Sequence, residues 1–265
     1  MVQRAAMYLR FVGHYLTANF QGALEYRVSF MSQVFAMLIN DLIWLVFWLA
    51  YFGSFPLVAG WGRSEIVTLW AVVAAAFGVA TTLCGATFRL AGMITRGELD
   101  FYLALPKPPL LHMLISRMDL TAPGDVLFGI LVYWLLLRPS LHQIVLFALF
   151  MLTGAVIYVA FGIITQSLAF WLGNAEGLGQ QLFNALLSFS TYPTVIFHGL
   201  IKAVLFTLIP AGFVAYVPVQ LLRDFSWPLL GGLLLFTGAI AAVAVLVFHA
   251  GLRRYESGNL ILMRE

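Results

Sequence analysis

Long uncharged apolar runs dominate the chain. No charged residue lies between Glu65 and Arg89, and none lies between Arg138 and Glu176. A helix needs about 20 apolar residues to cross a hydrocarbon core about 30 Å thick, because it rises about 1.5 Å per residue. The runs therefore predict an all-α integral membrane protein. The pattern predicts six transmembrane helices, at about 28–52, 66–88, 119–137, 141–172, 177–197 and 227–252.

The segment 199–224, which precedes the last predicted span, is apolar but interrupted. Pro210, Gly212 and Pro218 divide it into pieces that are too short to cross a bilayer. We therefore expect re-entrant helices there rather than a seventh span. Six spans with a cytosolic N-terminus place ten Lys and Arg residues in the cytosol and four outside, as the positive-inside rule favours. Both termini are then cytosolic, in a multi-pass protein of the plasma (inner) membrane.

Residues 5–24 carry apolar side chains at helical spacing, with polar side chains between them. This pattern predicts a helix lying in the cytosolic membrane interface. A cytosolic extension of the first span is the alternative. We expect no cleavable signal peptide, because the first long apolar run begins near residue 28. No linker divides the chain, so residues 1–265 are expected to form a single transmembrane domain.

Composition excludes a soluble globule. Apolar residues make up 62% of the chain and charged residues only 9%, whereas soluble domains have roughly 45–50% and about 25%. Most of the surface must therefore face membrane lipid. Basic residues cluster no further than the pair Arg253–Arg254, so nucleic-acid binding is not expected.

Catalytic motifs are missing from the sequence. The five histidines are scattered singly, without the HExxH spacing of a metal site, and Cys84 is the single cysteine. A Walker A motif needs Gly-Lys-Ser/Thr, but the two lysines, Lys107 and Lys202, follow Pro106 and Ile201. We therefore expect no enzyme activity, no metal and no cofactor in this chain. If ATP is used, another chain must bind it.

The longest polar segment between predicted spans, residues 89–117, contains apolar and aromatic side chains that a simple connecting loop does not require. Acidic and basic side chains alternate there with Leu, Phe and Tyr, and prolines follow. The pattern predicts a short amphipathic helix that docks on a soluble partner or on the membrane. A solvated turn is the alternative. The candidate docking residues are Arg96, Gly97, Glu98, Leu99, Asp100, Phe101, Tyr102, Leu103 and Pro106.

Two of the predicted spans contain aspartates. Asp41, next to Asn40, lies near the middle of the first span, where an unpaired carboxylate costs about 2.5–3.5 kcal/mol. It marks either a translocation path or a polar seam in a dimer; a structural pair with an arginine of another helix is the alternative. Asp125 lies near the start of the third span. We expect it to form a structural ion pair within the group Arg117, Asp119 and Asp125.

Two stretches resemble a known family. They are RGELDFYLALPKPPLLHMLISRMDLTAPGDVLFG, which begins at Arg96, and GLRRYESGN, which begins at Gly251. Together with six spans and the Pro-broken segment, they resemble the ABC-2 type permeases, in particular the branch of ABC-2 family transporter proteins. The resemblance implies a permease subunit of an ATP-driven exporter for an apolar or amphipathic substrate. A second permease, in a homodimer or heterodimer, and two separate ATPase subunits that hold ATP and Mg would complete it.

The resemblance also implies roles for three segments. Residues 96–105 would form the coupling helix that inserts into the ATPase, residues 5–24 the elbow helix, and 199–224 the extracellular re-entrant helices. A stand-alone secondary carrier that uses Asp41 is the alternative function, since such carriers need ionisable residues within the membrane.

Overall fold

The computed structural model describes residues 2–256. These residues form helices and contain no β-strand. In chain order the helices are α1 Val2–Glu25, α2 Arg27–Ser54, α3 Arg63–Cys84, α4 Leu90–Thr95, α5 Leu99–Leu103, α6 Pro109–Ile115, α7 Ala122–Leu137, α8 Leu141–Gln166, α9 Ala169–Leu172, α10 Glu176–Ser190, α11 Gly199–Thr207, α12 Val217–Arg223 and α13 Trp227–Leu252.

Four helical segments are long and apolar enough to cross a membrane. They are Arg27–Ser54, Arg63–Thr95, Leu141–Leu172 and Trp227–Leu252. The chain is therefore an all-helical membrane protein, as the apolar runs predict. The last segment coincides with the predicted span 227–252.

The other two predicted spans contain shorter helices. Helix α7 has 16 residues, because it starts at Ala122 with a proline in its first turn. Helix α10 has 15 residues and ends at Ser190, three residues before Pro193. Both fall short of the roughly 20 residues that a perpendicular crossing needs. The count of six spans stays a prediction.

The predicted re-entrant segment is broken in the structure. Helix α11 and the following helical stretch Gly212–Arg223 meet at a bend of 79°. Pro210 lies between them and lacks the N–H that would continue the helix. The bend agrees with the interruption predicted from the prolines. Its extracellular position stays a prediction.

Helix α3 forms the centre of the molecule. It packs against α7 on one side and α8 on another, while α2 packs against α7 and α13 against α8. Small residues allow these close approaches: a Cβ added at Gly78 of α3 would lie 2.7 Å from Val126 of α7. Close helix packing is thus the role of the small residues in α3.

Helix α1 is separated from α2 by a turn at Tyr26. It packs on α6, where the side-chain amide of Asn19 donates to the carbonyl oxygen of Ile115 at 3.2 Å. Ala23 joins Phe30 of α2 in a small buried apolar cluster. The helix predicted over 5–24 is therefore present. Its location in the membrane interface stays a prediction.

Candidate functional site

Gly97 redirects the chain from α4 into α5. Its φ of +73° lies in the left-handed region, which glycine adopts without steric cost. The N–H of Gly97 donates to the carbonyl of Ile94 at 3.2 Å, and the N–H of Glu98 donates to that of Met93 at 3.0 Å. These two bonds form a Schellman motif, which ends α4 and fixes the direction of α5.

Helix α5 has a buried face and an exposed face. Leu99 is fully buried in an apolar cluster with residues of α4, α6, α8 and α13, and Tyr102 packs against the same cluster. On the other face, Phe101 is 66% exposed, and Asp100 and Leu103 are exposed beside it. The helix is therefore anchored to the rest of the protein by its buried face, and its exposed face presents apolar and acidic side chains.

The charges next to α5 are arranged around Arg96. Its Nε donates to Oε1 of Glu98 at 2.8 Å, and this contact raises the pKa of the Arg96 guanidinium. A Cβ added at Gly92 would lie 2.7 Å from Nη1 of Arg96 and 3.1 Å from Oε2 of Glu176. Arg96 thus lies close to acidic groups of two segments. Because the pair with Glu98 is exposed, it contributes little to stability.

His112 connects helix α1 to the region of α5. Its Nε2 hydrogen-bonds to the hydroxyl of Tyr15. Its ring centroid lies 5.1 Å from that of Phe11 and 5.3 Å from that of Tyr102, both in edge contacts. We call Phe11, Tyr15, Tyr102 and His112 the His112 cluster. Burial lowers the pKa of His112 and raises that of Tyr15, so both side chains are neutral at pH 7.

The chain after α13 also reaches α5. Burial, together with the nearby Asp100 carboxylate, raises the pKa of Tyr255 to about 12. The ring of Tyr255 lies edge-on to Phe170, with centroids 6.3 Å apart. Both sequence stretches that resemble the permease family therefore meet at one place. Ser257, Gly258 and Asn259 of the second stretch lie outside the described residues.

A second polar site lies between α2 and α7. Asp41 is 4% exposed and Asp125 is 2% exposed, and the two carboxyl groups are close neighbours. Oδ2 of each carboxyl group has no hydrogen-bond partner among the described residues. Gly124 allows the approach, since a Cβ there would lie 2.6 Å from the carbonyl oxygen of Val34. The two carboxyl groups thus face each other in an otherwise apolar contact.

The pair opens onto a cavity of about 360 Å³ between α2, α3, α7 and the end of α10. Aromatic side chains form much of its wall, and no Lys, Arg or His side chain lines it. The lining residues that matter most are Asp41, Trp44, Trp48, Trp70, Asp125 and Tyr192. The arrangement combines aromatic faces with carboxyl oxygens that have no basic partner.

Comparison with known families identifies the kind of protein that has this structure. The model of the family described as ABC-2 family transporter protein matches residues 38–258. The chain belongs to this family. It is the permease of an ABC-type transporter, a multi-pass membrane subunit that associates with an ATP-binding subunit and another permease. No curated protein and no solved structure gives a significant match.

The ABC-2 match covers α5, the Asp41–Asp125 pair and the broken segment, whereas α1 precedes it. No group of three or more His, Cys, Asp or Glu residues within 2–256 is placed to hold a metal ion. The structure also brings together two aspartates that the sequence treats separately. The spacing that could have revealed this is Gly124 next to Asp125, because a glycine in a span permits a close helix approach.

The structure also shows the surroundings of the ion-pair group predicted in this ABC-2 permease. Among the described residues, no salt bridge joins Arg117 to Asp119 or Asp125. Asp119 instead accepts hydrogen bonds from the backbone N–H of Thr121 at 2.9 Å and from its hydroxyl at 2.8 Å. This local turn holds Asp119 at the start of α7, while Asp125 points to α2. The alternative for Asp41 is a structural pair with an arginine of another helix. Among the described residues no salt bridge involves Asp41, and its carboxyl neighbour is Asp125.

Proposed function

We propose that this ABC-2 permease is the transmembrane part of an exporter in which α5 is the coupling helix. The observation that carries the proposal is the two-sided burial of α5. Leu99 is fully buried in the permease, while Phe101, two residues later and on the opposite face, is 66% exposed. A helix that must transmit a push needs a fixed side toward the permease and a free side toward the ATPase.

The contacts of α5 support a route for that push. Leu99 lies in an apolar cluster shared with α4, α6, α8 and α13. Tyr102 contacts His112, which in turn hydrogen-bonds to Tyr15 of α1. A displacement of α5 would therefore be felt by the elbow helix and by two membrane helices together. Close-packed contacts of this kind move as units between discrete states.

The exposed face of α5 supports a particular mode of docking. Phe101 supplies an apolar anchor, and Asp100 supplies negative charge for basic groups on the ATPase. Glu98 forms a salt bridge with Arg96. Tyr102 packs inward, so it positions α5 instead of entering the partner. Gly97 and Pro106 bound the helix on either side, and Leu103 extends the exposed apolar surface.

The complete transporter in this proposal has two permeases and two ATPase subunits, which bind ATP and Mg. The permeases are two copies of this chain or this chain with a related one. The face that carries α5 is cytosolic, both termini are on that side, and the complex lies in the plasma (inner) membrane. An apolar or amphipathic substrate passes between the permeases as ATP binding shifts their equilibrium.

A second candidate function is a stand-alone carrier coupled to ions through Asp41. The buried pair with Asp125 favours it, because intramembrane carboxyl groups serve ion coupling in such carriers. The two functions differ in whether an ATPase is needed.

Co-purification tests the proposal. The tagged permease is extracted in mild detergent from its own membrane, and recovered proteins are identified by mass spectrometry. We expect a P-loop ATPase with the wild-type chain. F101A should reduce its recovery roughly tenfold, as the loss of about 1.4 kcal/mol would. The matched control is L57A, since Leu57 is an equally exposed apolar residue in the α2–α3 connection.

Insertion and oligomeric state are measured in parallel for each variant. F101A should elute from size exclusion like the wild type, because Phe101 contributes little to the core of the permease. An ATPase that is absent from the wild-type eluate, or retained fully by F101A, would contradict the coupling role of α5.

A further inference from the structure

We propose that the cavity between α2, α3, α7 and the end of α10 binds an amphipathic organic cation, which is the substrate class of this permease. That the bound cation is the transported substrate rests on the proposed function. The binding site itself does not depend on an ATPase. The juxtaposition that supports it is a buried carboxyl pair beside three tryptophans.

The carboxyl pair supplies the attraction for positive charge. Asp41 and Asp125 are both more than nine-tenths buried and both line the cavity, and Oδ2 of each lacks a hydrogen-bond partner among the described residues. No basic side chain lines the cavity to neutralise them. Two carboxylates in contact repel each other, and a bound cation or a shared proton relieves the repulsion. A cation is therefore the complementary ligand.

The aromatic wall supplies faces suited to an organic cation. The rings of Trp44 and Trp70 are stacked, with centroids 6.3 Å apart and an angle of 12° between their planes. Trp48 meets Tyr192 edge-on at 5.8 Å. Tryptophan is the strongest cation–π partner among the side chains, and quaternary ammonium groups are bound by aromatic surfaces of this kind.

The volume and the mixed wall of the cavity suit an organic cation better than a bare metal ion. Its volume of about 360 Å³ lies at the lower end of the usual range for small-molecule pockets. Hard cations such as Ca²⁺ require six to eight oxygen ligands. Here the wall also includes apolar side chains such as Met37 and Leu187. Such a wall suits a ligand whose charge is attached to an apolar body.

The competing account gives the pair a structural role alone. In that account the two aspartates share a proton and hold α2 against α7, and no ligand enters. The two accounts differ in whether the cavity distinguishes the sign of a ligand's charge.

Two ions of similar shape and opposite charge make this distinction. The permease, with any subunits that co-purify, is reconstituted in lipid nanodiscs without ATP. Binding of tetraphenylphosphonium is measured at neutral pH by equilibrium dialysis, and tetraphenylborate is the control for shape and hydrophobicity. We expect saturable binding of the phosphonium and none of the borate at this site. Quenching of tryptophan fluorescence should follow the same saturation.

Three variants locate the site. D41N and D125N keep the side-chain size and should each weaken phosphonium binding tenfold or more. The matched control is D119N, because Asp119 lies close in sequence but does not line this cavity. It should bind as the wild type does. Each variant is also checked for its size-exclusion profile, so a folding defect is recognised as such.

Three outcomes would overturn the inference: no saturable phosphonium binding, equal binding of the borate, or unchanged binding by both D41N and D125N. An ATPase that co-purifies when phosphonium binding fails would leave the proposed function standing and remove only the substrate class. Phosphonium binding in a permease that recovers no ATPase would do the reverse, leaving a cation site in a protein that is not ATP-driven.

Discussion

Tyr15 of α1 hydrogen-bonds to His112 of α6, although the two residues are 97 positions apart in the chain. The bond joins α1 to the segment that carries α5. Tyr102 of α5 lies edge-on to the same imidazole ring, with centroids 5.3 Å apart. Three helices of the proposed coupling region are therefore held by one histidine.

Removing the Tyr15 hydroxyl should destabilise the protein. Y15F leaves Nε2 of the buried His112 without its partner, and an unsatisfied buried polar group costs about 1–3 kcal/mol. We expect a lower Tm in detergent by a fluorescence-detected thermal assay. The control is Y8F, which removes the hydroxyl of a tyrosine whose ring lies under Lys107. An equal Tm for Y15F and Y8F would count against the hydrogen bond.

Stability should depend on pH through His112. Burial lowers the pKa of the folded His112, so the unfolded chain takes up a proton more readily. The neutral, buried His112 therefore favours the folded state fully above the ordinary histidine pKa of about 6.5. This contribution to the free energy of unfolding is lost as the pH falls below that value. We expect Tm to fall between pH 7.5 and 5.5, and to fall less in H112F. The control H14Q removes an exposed histidine of α1. If H112F keeps the full wild-type slope, His112 is not the group responsible.

Gly97 should resist substitution. Its φ of +73° costs a residue with a Cβ about 1–2 kcal/mol. G97A should therefore lower Tm. It should also reduce the recovery of the ATPase, because the direction of α5 changes. The comparison variant is G22A, since a Cβ at this helical glycine meets no atom within 4 Å. G22A is expected to leave Tm unchanged or raise it slightly. A G97A protein that matches G22A in both measurements would show that the left-handed turn is dispensable.

Gly124 should be needed for the carboxyl pair. A Cβ there would lie 2.6 Å from the backbone oxygen of Val34, which cannot move without displacing α2. G124A should lower Tm and weaken tetraphenylphosphonium binding, because Asp125 moves relative to Asp41. G231A in α13 is the control, since a Cβ at Gly231 meets open space. Wild-type stability and binding in G124A would mean that α2 and α7 do not approach here as described.

Local pattern predicts much of this fold. The uncharged apolar runs predict α3, α8 and α13, and Pro210 predicts the break between α11 and the next helix. These features depend on neighbours in the chain: apolar length selects a span, and a proline without an N–H ends a helix. The predicted span 177–197 extends past the end of α10 at Ser190, because apolar composition continues past Pro193 although the helix does not.

The sites are predicted less completely. The sequence identifies α5 as an amphipathic element, but it does not show that Tyr102 turns inward to His112. It also identifies Asp41 and Asp125 as unusual residues without pairing them. Both relationships depend on how separate helices are packed and rotated against each other. That packing depends on contacts of small residues, such as Gly124 against Val34. The spacing of apolar residues along one helix does not reveal such contacts.

Photo-crosslinking from position 101 tests the coupling role of α5 most directly. A benzophenone amino acid replaces Phe101 in one variant and Leu57 in another, and both are irradiated in the native membrane. The account predicts a crosslinked product between position 101 and a P-loop ATPase, and none from position 57. A permease crosslinked at 101 only to itself or to lipid, or an ATPase crosslinked equally from 57, would contradict it.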